Sequence, residues 1–177
     1  MTSHAQRTWF ITGASTGFGR EMAHHVLARG GRVVATARKA EAVADIVGVV
    51  RRTPHGERLT FNVNARTDLT VPVDESDFSE ILGNLIENAA RFAKSTIRVD
   101  VAVDEKQRTI ISVADDGPGL AEAEHQSALR RGMTTKDDGS GLGLAIVSDI
   151  VAAYSGSLKM SDAKPGLLVT VSLPRPT

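Results

Sequence analysis

DFSEILGNLIENAARFA, residues 77–93, decides the fold of most of this chain. Phe78, Ile81, Leu82, Leu85, Ile86, Ala89 and Phe92 recur at the three- and four-residue spacing of one helix face, with Ser76 or Asp77 placed to act as N-cap. A second row runs beside that apolar face. Glu80, Asn84 and Asn88 are four residues apart and Arg91 follows three later, so their side chains fall along one side of the helix. Spacing alone leaves two readings of the row. It is either a solvated polar face or a set of ligands, since an amide oxygen suits Mg²⁺, which takes oxygen donors and usually brings phosphate oxygens with it.

Working outward, LTFNVNA and LTVPVD read as two short strands joined by a turn at Arg66-Thr67-Asp68. On the other side come strands at STIRVDVAV and RTIISVAD, then a Gly-containing polar stretch to Ser140. A helix over GLGLAIVSDIVAAYS and two closing strands, SLKMSD and GLLVTVSLP, complete the pattern β-β-α-β-β-loop-α-β-β.

Two loops in this unit carry glycines. VADDGPGL ends a strand with Asp115, followed by Gly117 and Gly119, and GSGLGLAIV opens a helix with Gly139, Gly141 and Gly143. Glycine lets the backbone approach a ligand, and a helix N-terminus presents unpaired N–H groups that favour phosphate. Either loop alone is equally readable as an ordinary tight turn.

Taken together and in order, NLIENAARF, DDGPG and GSGLGLAIV resemble the N box and the two glycine boxes of the histidine-kinase branch of the Bergerat, or GHKL, ATPase superfamily. The resemblance covers nearly all of the second unit. It implies an α/β fold of the α+β sandwich kind, a Bergerat-type mixed sheet with helices on one face, binding ATP with Mg²⁺. It further implies that Asn88 is the Mg²⁺ ligand, Asn84 its N-box partner and Arg91 a neighbour of the phosphates. Asp115 would accept from the adenine amino group, Gly117 and Gly119 would shape the adenine pocket, and Gly139, Gly141 and Gly143 would wrap the phosphates. Residues from about Ala121 to Asp138 would form a mobile lid containing Arg131.

In hydrolysing members such as gyrase and MutL-type proteins, a glutamate four residues before the Mg²⁺-binding asparagine is the general base. Here Asn84 stands there, and an amide cannot take a proton near neutral pH, so kinase-like handling of ATP is expected. Three departures from the family pattern stand out. Ala128-Leu129 replaces a common phenylalanine, Leu168 stands where a threonine often contacts the nucleotide, and none of the five histidines sits in a phosphoacceptor motif. Any acceptor histidine, or a response regulator, is therefore expected to act in trans.

The start of the chain reads differently. TWFITGASTGFGREMAHHVLARGGRVVATARK is a strand, a Gly-rich turn, an amphipathic helix and a second strand, a partial Rossmann-like β-α-β fragment. TGASTGFG resembles the nucleotide loop of short-chain dehydrogenases and reductases. That resemblance implies that Gly13, Gly17 and Gly19 approach a pyrophosphate and that Arg38 suits the 2′-phosphate of NADP, as a vestigial site. The Tyr-x-x-x-Lys pair of that family is absent. Tyr154 is the only tyrosine and lies five residues from Lys159, so it reads as a core or helix-end residue.

These readings divide the chain into an incomplete dehydrogenase-like fragment at 1–45, a junction at 46–58 and a histidine-kinase-like ATPase domain at 59–177, an apparent chimera. Composition sets outer bounds. Lys and Arg number 21 against 21 Asp and Glu, so no long-range field gathers nucleic acid or acidic lipid. Cysteine is absent and the histidines lack metal-site spacing, so no structural metal is expected. No signal peptide and no apolar run long enough for a membrane span is evident, which points to a cytoplasmic protein, a monomer by default. The leading expectation is a Mg·ATP-binding kinase module. The alternatives are a non-catalytic nucleotide-binding or truncated chimeric protein and, more remotely, an NADP-dependent reductase fragment.

Overall fold

The protein is described by a computed structural model covering residues 8–12, 32–36, 39–65, 71–129 and 142–175; for 8–12, 32–36 and 39–41 the description is of the backbone. Strands β1 (Thr8–Thr12) and β2 (Arg32–Thr36) pair in parallel, as the opening β-α-β pattern requires. The glycines Gly13, Gly17 and Gly19, the helix expected between the two strands and Arg38 lie outside the described residues.

Helix α1 (Lys39–Val50) follows, then β3 (Thr60–Ala65), α2 (Glu75–Phe92), β4 (Thr96–Val103) and β5 (Thr109–Asp115). A short helix α3 (Glu122–Ala128), helix α4 (Gly143–Ala153) and the hairpin β6 (Ser157–Asp162) and β7 (Leu167–Leu173) complete the chain. The five later strands form one sheet in the order β3-β4-β5-β7-β6, parallel between β3 and β4 and antiparallel elsewhere.

The sheet buries one face under the helices. Strand alternation sends Ile97, Val99 and Val101 of β4, Ile111 and Val113 of β5, and Val169 and Val171 of β7 inward. Arg98, Asp100, Ser112 and Thr170 take the opposite face and stay exposed or half-buried. The apolar stripe of α2 lies on the inward face, with Phe78, Ile81, Leu82 and Ile86 fully enclosed. Burying four such side chains contributes roughly 1.5–3 kcal/mol each, enough to make α2 the organising element of the core.

Helix α1 packs on α2, burying Val43, Val47 and Val50, which are spaced for one helix face. It runs without interruption through the boundary drawn at residues 45 and 46. At its end the Arg51 guanidinium lies 5.3 Å from the centre of the Phe61 ring, tying the turn to β3.

The second strand expected at LTVPVD does not form in its described part. Residues 71–74 are irregular, although Val71 and Val73 are buried. Pro72 has no N–H for a ladder, and the apolar alternation here goes with burial, Val71 and Val73 both belonging to the core. The α2 N-cap is Asp74, two residues earlier than the spacing suggested, and its side chain makes no capping bond. No helix among the described residues is long and apolar enough to cross a membrane.

Candidate functional site

Asp115 is the last residue of β5, and strand alternation sets it on the inward face in line with Ile111 and Val113, opposite Ile97 on β4. A carboxylate thus occupies a position that periodicity reserves for an apolar side chain, and it is only 7% exposed. Its Oδ1 accepts the Gly117 N–H at 2.8 Å, and the Leu167 N–H also bonds the carboxyl. Burial pushes the Asp115 carboxyl up; the Gly117 and Leu167 N–H groups oppose that and the neighbouring Asp116 charge adds to it, leaving the group raised.

Asp116, the next residue, is treated in the opposite way. Its carboxylate accepts the backbone N–H groups of Lys94 at 2.8 Å and Ser95 at 3.0 Å and the Ser95 hydroxyl at 2.6 Å, closing the turn from α2 into β4. Burial acts to raise this carboxyl, but the Ser95 hydroxyl and the N–H groups of Ser95, Thr96 and Lys94 together override it and hold it well below the usual carboxylate range. Asp116 escaped the sequence reading because its partners lie about twenty residues away across the sheet edge.

The loop after Asp115 is packed to contact. A Cβ on Gly117 would stand 2.3 Å from the Phe92 carbonyl oxygen at the end of α2 and 2.7 Å from Asp115 Oδ1, so only glycine fits. Gly119 rests against Gly166 in the turn between β6 and β7. Gly166 was not singled out in sequence. It adopts φ +98°, and a Cβ there would fall 1.8 Å from the Asp115 carbonyl oxygen. The hairpin turn therefore braces the carboxylate from behind. Strand alternation sets the two leucines that open β7 on opposite faces. Leu168 pairs with Ala114 on the opposite face, whereas Leu167 is buried on the side of Asp115.

On α2, Asn84, Asn88 and Arg91 are all half-buried. The Asn84 amide donates to the Glu80 carbonyl at 2.8 Å, which turns its oxygen outward from the helix. That oxygen meets the first turn of α4, where a Cβ on Gly143 would come within 2.9 Å of it. The Asn88 amide makes no hydrogen bond among the described residues. Arg91 Nε is buried with no hydrogen-bond partner among the described residues, a donor whose desolvation costs about 1–3 kcal/mol unless an acceptor reaches it.

Asn84 and Gly143 are thus brought together, as are Asp115, Gly117 and Gly119 with Gly166. Arg131, Gly139 and Gly141 lie outside the described residues, while the first part of the expected lid, Glu122–Ala128, is a helix without a buried side chain. A helix N-terminus facing the Asn84 amide, a buried carboxylate and an arginine donor with no partner among the described residues suit a ligand with an amino-bearing ring at one end and phosphate at the other. Among the described residues no three His, Asp or Glu converge as a metal site, so a cation here would take its remaining oxygens from that phosphate.

Comparison with known proteins agrees with this geometry. The pattern of the family described as histidine kinase-, DNA gyrase B-, and HSP90-like ATPase matches residues 73–177, and that of short chain dehydrogenase matches residues 7–110. The chain is 40% identical over 123 residues to the sensor protein kinase CarS of Pseudomonas aeruginosa, covering 68% of this chain and 27% of that protein. It is 32% identical over 128 residues to the two-component sensor PhoQ of the same organism, covering 71% and 28%. It therefore spans little more than a quarter of these relatives. Among solved structures, the mycobacterial sensor histidine kinase MprB superposes with a TM-score of 0.71 at 26% identity, covering 80% of this chain and 97% of that one. Where the two family patterns overlap, the antiparallel pairing of β4 with β5 departs from a doubly wound parallel sheet and is continuous with the five-stranded sheet. The chain belongs to the histidine kinase-, DNA gyrase B-, and HSP90-like ATPase family, and its residues 7–110, which begin ahead of that domain and overlap it, match the short chain dehydrogenases.

Proposed function

We propose that the second unit binds Mg·ATP and serves as the catalytic module of a two-component histidine kinase, with the phosphoacceptor histidine supplied in trans. The observation that carries this reading is Asp115, a carboxylate enclosed on the apolar face and held by the Gly117 and Leu167 N–H groups. So placed, it accepts from an adenine amino group and repels the carbonyl of guanine. Gly117 and Gly119 form the wall beside it.

At the other end, the first turn of α4 at Gly143 offers unpaired N–H groups to phosphate, with Gly139 and Gly141 preceding it in sequence. The Asn88 amide oxygen would ligate Mg²⁺, Asn84, with its oxygen outward, would be its N-box partner, and Arg91 Nε would gain a phosphate acceptor. Arg131 is proposed as a further phosphate contact from the lid. Mg²⁺ held by Asn88 would supply charge neutralisation to the phosphates. Asn84 in place of a general base keeps water from competing as acceptor.

We place the ATP-binding unit at residues 59–177 and take α1 as the element that joins its core to the leader, because Val43, Val47 and Val50 pack on α2. The leader, 1–45, is proposed as a fragment in which Gly13, Gly17, Gly19 and Arg38 are a vestige of an NADP site.

Titration with a fluorescent ATP analogue, with and without Mg²⁺ and beside NADPH, tests this. Mg²⁺-dependent binding of the ATP analogue is expected. Binding of NADPH without ATP would overturn the reading.

A further inference from the structure

Helix α4 is fastened to α2 at both ends. At its start Gly143 lies against the Asn84 side chain, and at its end Tyr154 is the C-cap. The Tyr154 hydroxyl donates to the Asp77 carboxylate and accepts the backbone N–H of Asp74 at 3.3 Å. Asp74 and Asp77 open α2, so the two helices run in opposite directions with one contact at each end.

The distances make this a two-point mount. At 1.5 Å per residue, Asp77 and Asn84 stand about 10 Å apart along α2, while Gly143 and Tyr154 are about 16 Å apart along α4. The tyrosine side chain, leaning back toward the start of its helix, spans the difference. Between the two points α4 buries Ala145, Val147 and Val151. Apolar contact is non-directional, so these side chains favour burial without fixing where α4 stops along α2. The hydroxyl bond is directional and supplies that stop.

We propose that Tyr154, acting with Asp77, is a positioning residue for the phosphate end of the nucleotide site. It sets the station of α4 along α2 and so keeps the first turn of α4, at Gly143, registered on Asn84. The inference rests on the ATP-binding reading above. Burial and the Asp77 bond push the Tyr154 phenol up to about 12, so the hydroxyl keeps its proton, and the tie persists, throughout the neutral range. The adenine end does not depend on this tie, because Asp115, Gly117 and Gly166 are held by β5, β7 and the end of α2.

Affinities for Mg·ATP and for adenosine separate the two ends. Tyr154→Phe, which keeps the ring, is expected to weaken Mg·ATP about three- to tenfold, the equivalent of one ordinary hydrogen bond, and to leave adenosine unchanged. Asp77→Ala should match it, the double variant should be no worse than either, and Asp77→Asn, which retains an acceptor oxygen, should recover part of the loss. Unchanged Mg·ATP affinity in Tyr154→Phe, equal weakening of ATP and adenosine, or additive losses in the double variant would each overturn the proposal. Wild-type protein that binds neither ligand would instead remove the ATP-binding reading on which it rests.

Discussion

The Asn84 amide oxygen lies so close to the first turn of α4 that a methyl group on Gly143 would stand 2.9 Å from it. The obstructing atom is the end of a side chain rather than backbone, so it can give way. Gly143→Ala should therefore fold normally, with the melting temperature unchanged or raised, since alanine is the better helix former by up to about 1 kcal/mol. The displaced Asn84 amide should lower Mg·ATP affinity. Calorimetric melting beside nucleotide titration checks both, and unchanged affinity would detach Asn84 from the phosphate end.

The Asn88 side-chain amide makes no hydrogen bond among the described residues. Asn88→Ala should accordingly cost little stability, within about 0.5 kcal/mol. The difference between nucleotide affinities measured with Mg²⁺ and with EDTA should vanish in this variant. A Mg²⁺ effect of wild-type size would place the cation elsewhere.

Asp115 sets stability against recognition. Its raised carboxyl means that the folded state holds the proton more tightly than the unfolded chain does. Its contribution to stability thus falls as pH rises from the ordinary carboxylate range through the raised value, and the full cost is present above that value. Asp115→Asn should remove that slope and leave the protein at least as stable at pH 7. With the amide oxygen retained by the Gly117 N–H, the amide NH₂ faces the adenine amino group, and ATP affinity should drop about tenfold or more. Urea midpoints across pH and ATP titration are the measurements; retained affinity would show that adenine is not read by Asp115.

Asp116 has the opposite sign. Its folded carboxyl is lowered, so its contribution is complete above the ordinary carboxylate range and is lost as pH falls below that range toward the folded value. Asp116→Asn should destabilise the protein at pH 7 and reduce its sensitivity to acid below about pH 4. Nucleotide affinity should be unaffected where the variant is folded. Chemical denaturation at pH 7 and pH 3 distinguishes the outcomes.

Local signals carried α2, α4 and most of the sheet, but not the short helix α3 within the expected lid. The stripe of Phe78, Ile81, Leu82, Leu85 and Ile86 announces α2 because a helical period is a property of neighbours, and the strand at SLKMSD falls on β6 residue for residue. LTVPVD misled because alternation alone does not say whether a partner strand will accept it, and Pro72 removes one of the donors. Asp115 and Gly117 were legible through the glycine box. Gly166 was not, since its need for glycine arises from the Asp115 carbonyl oxygen, a contact between segments distant in sequence. The Tyr154 bond to Asp77 spans 77 residues and leaves no trace in spacing.

Helix α1 bears on any attempt to divide the chain. Val43, Val47 and Val50 fill a furrow on α2, so the dehydrogenase-like leader and the ATPase cannot be exchanged as cassettes at residue 46: the cut would fall inside one turn of helix and strip Val43 from its seat. A clean excision keeps all of α1 with the C-terminal piece. One made downstream of it bares an oily trough on the element that also carries Asn84 and Asn88, and aggregation is the physical consequence.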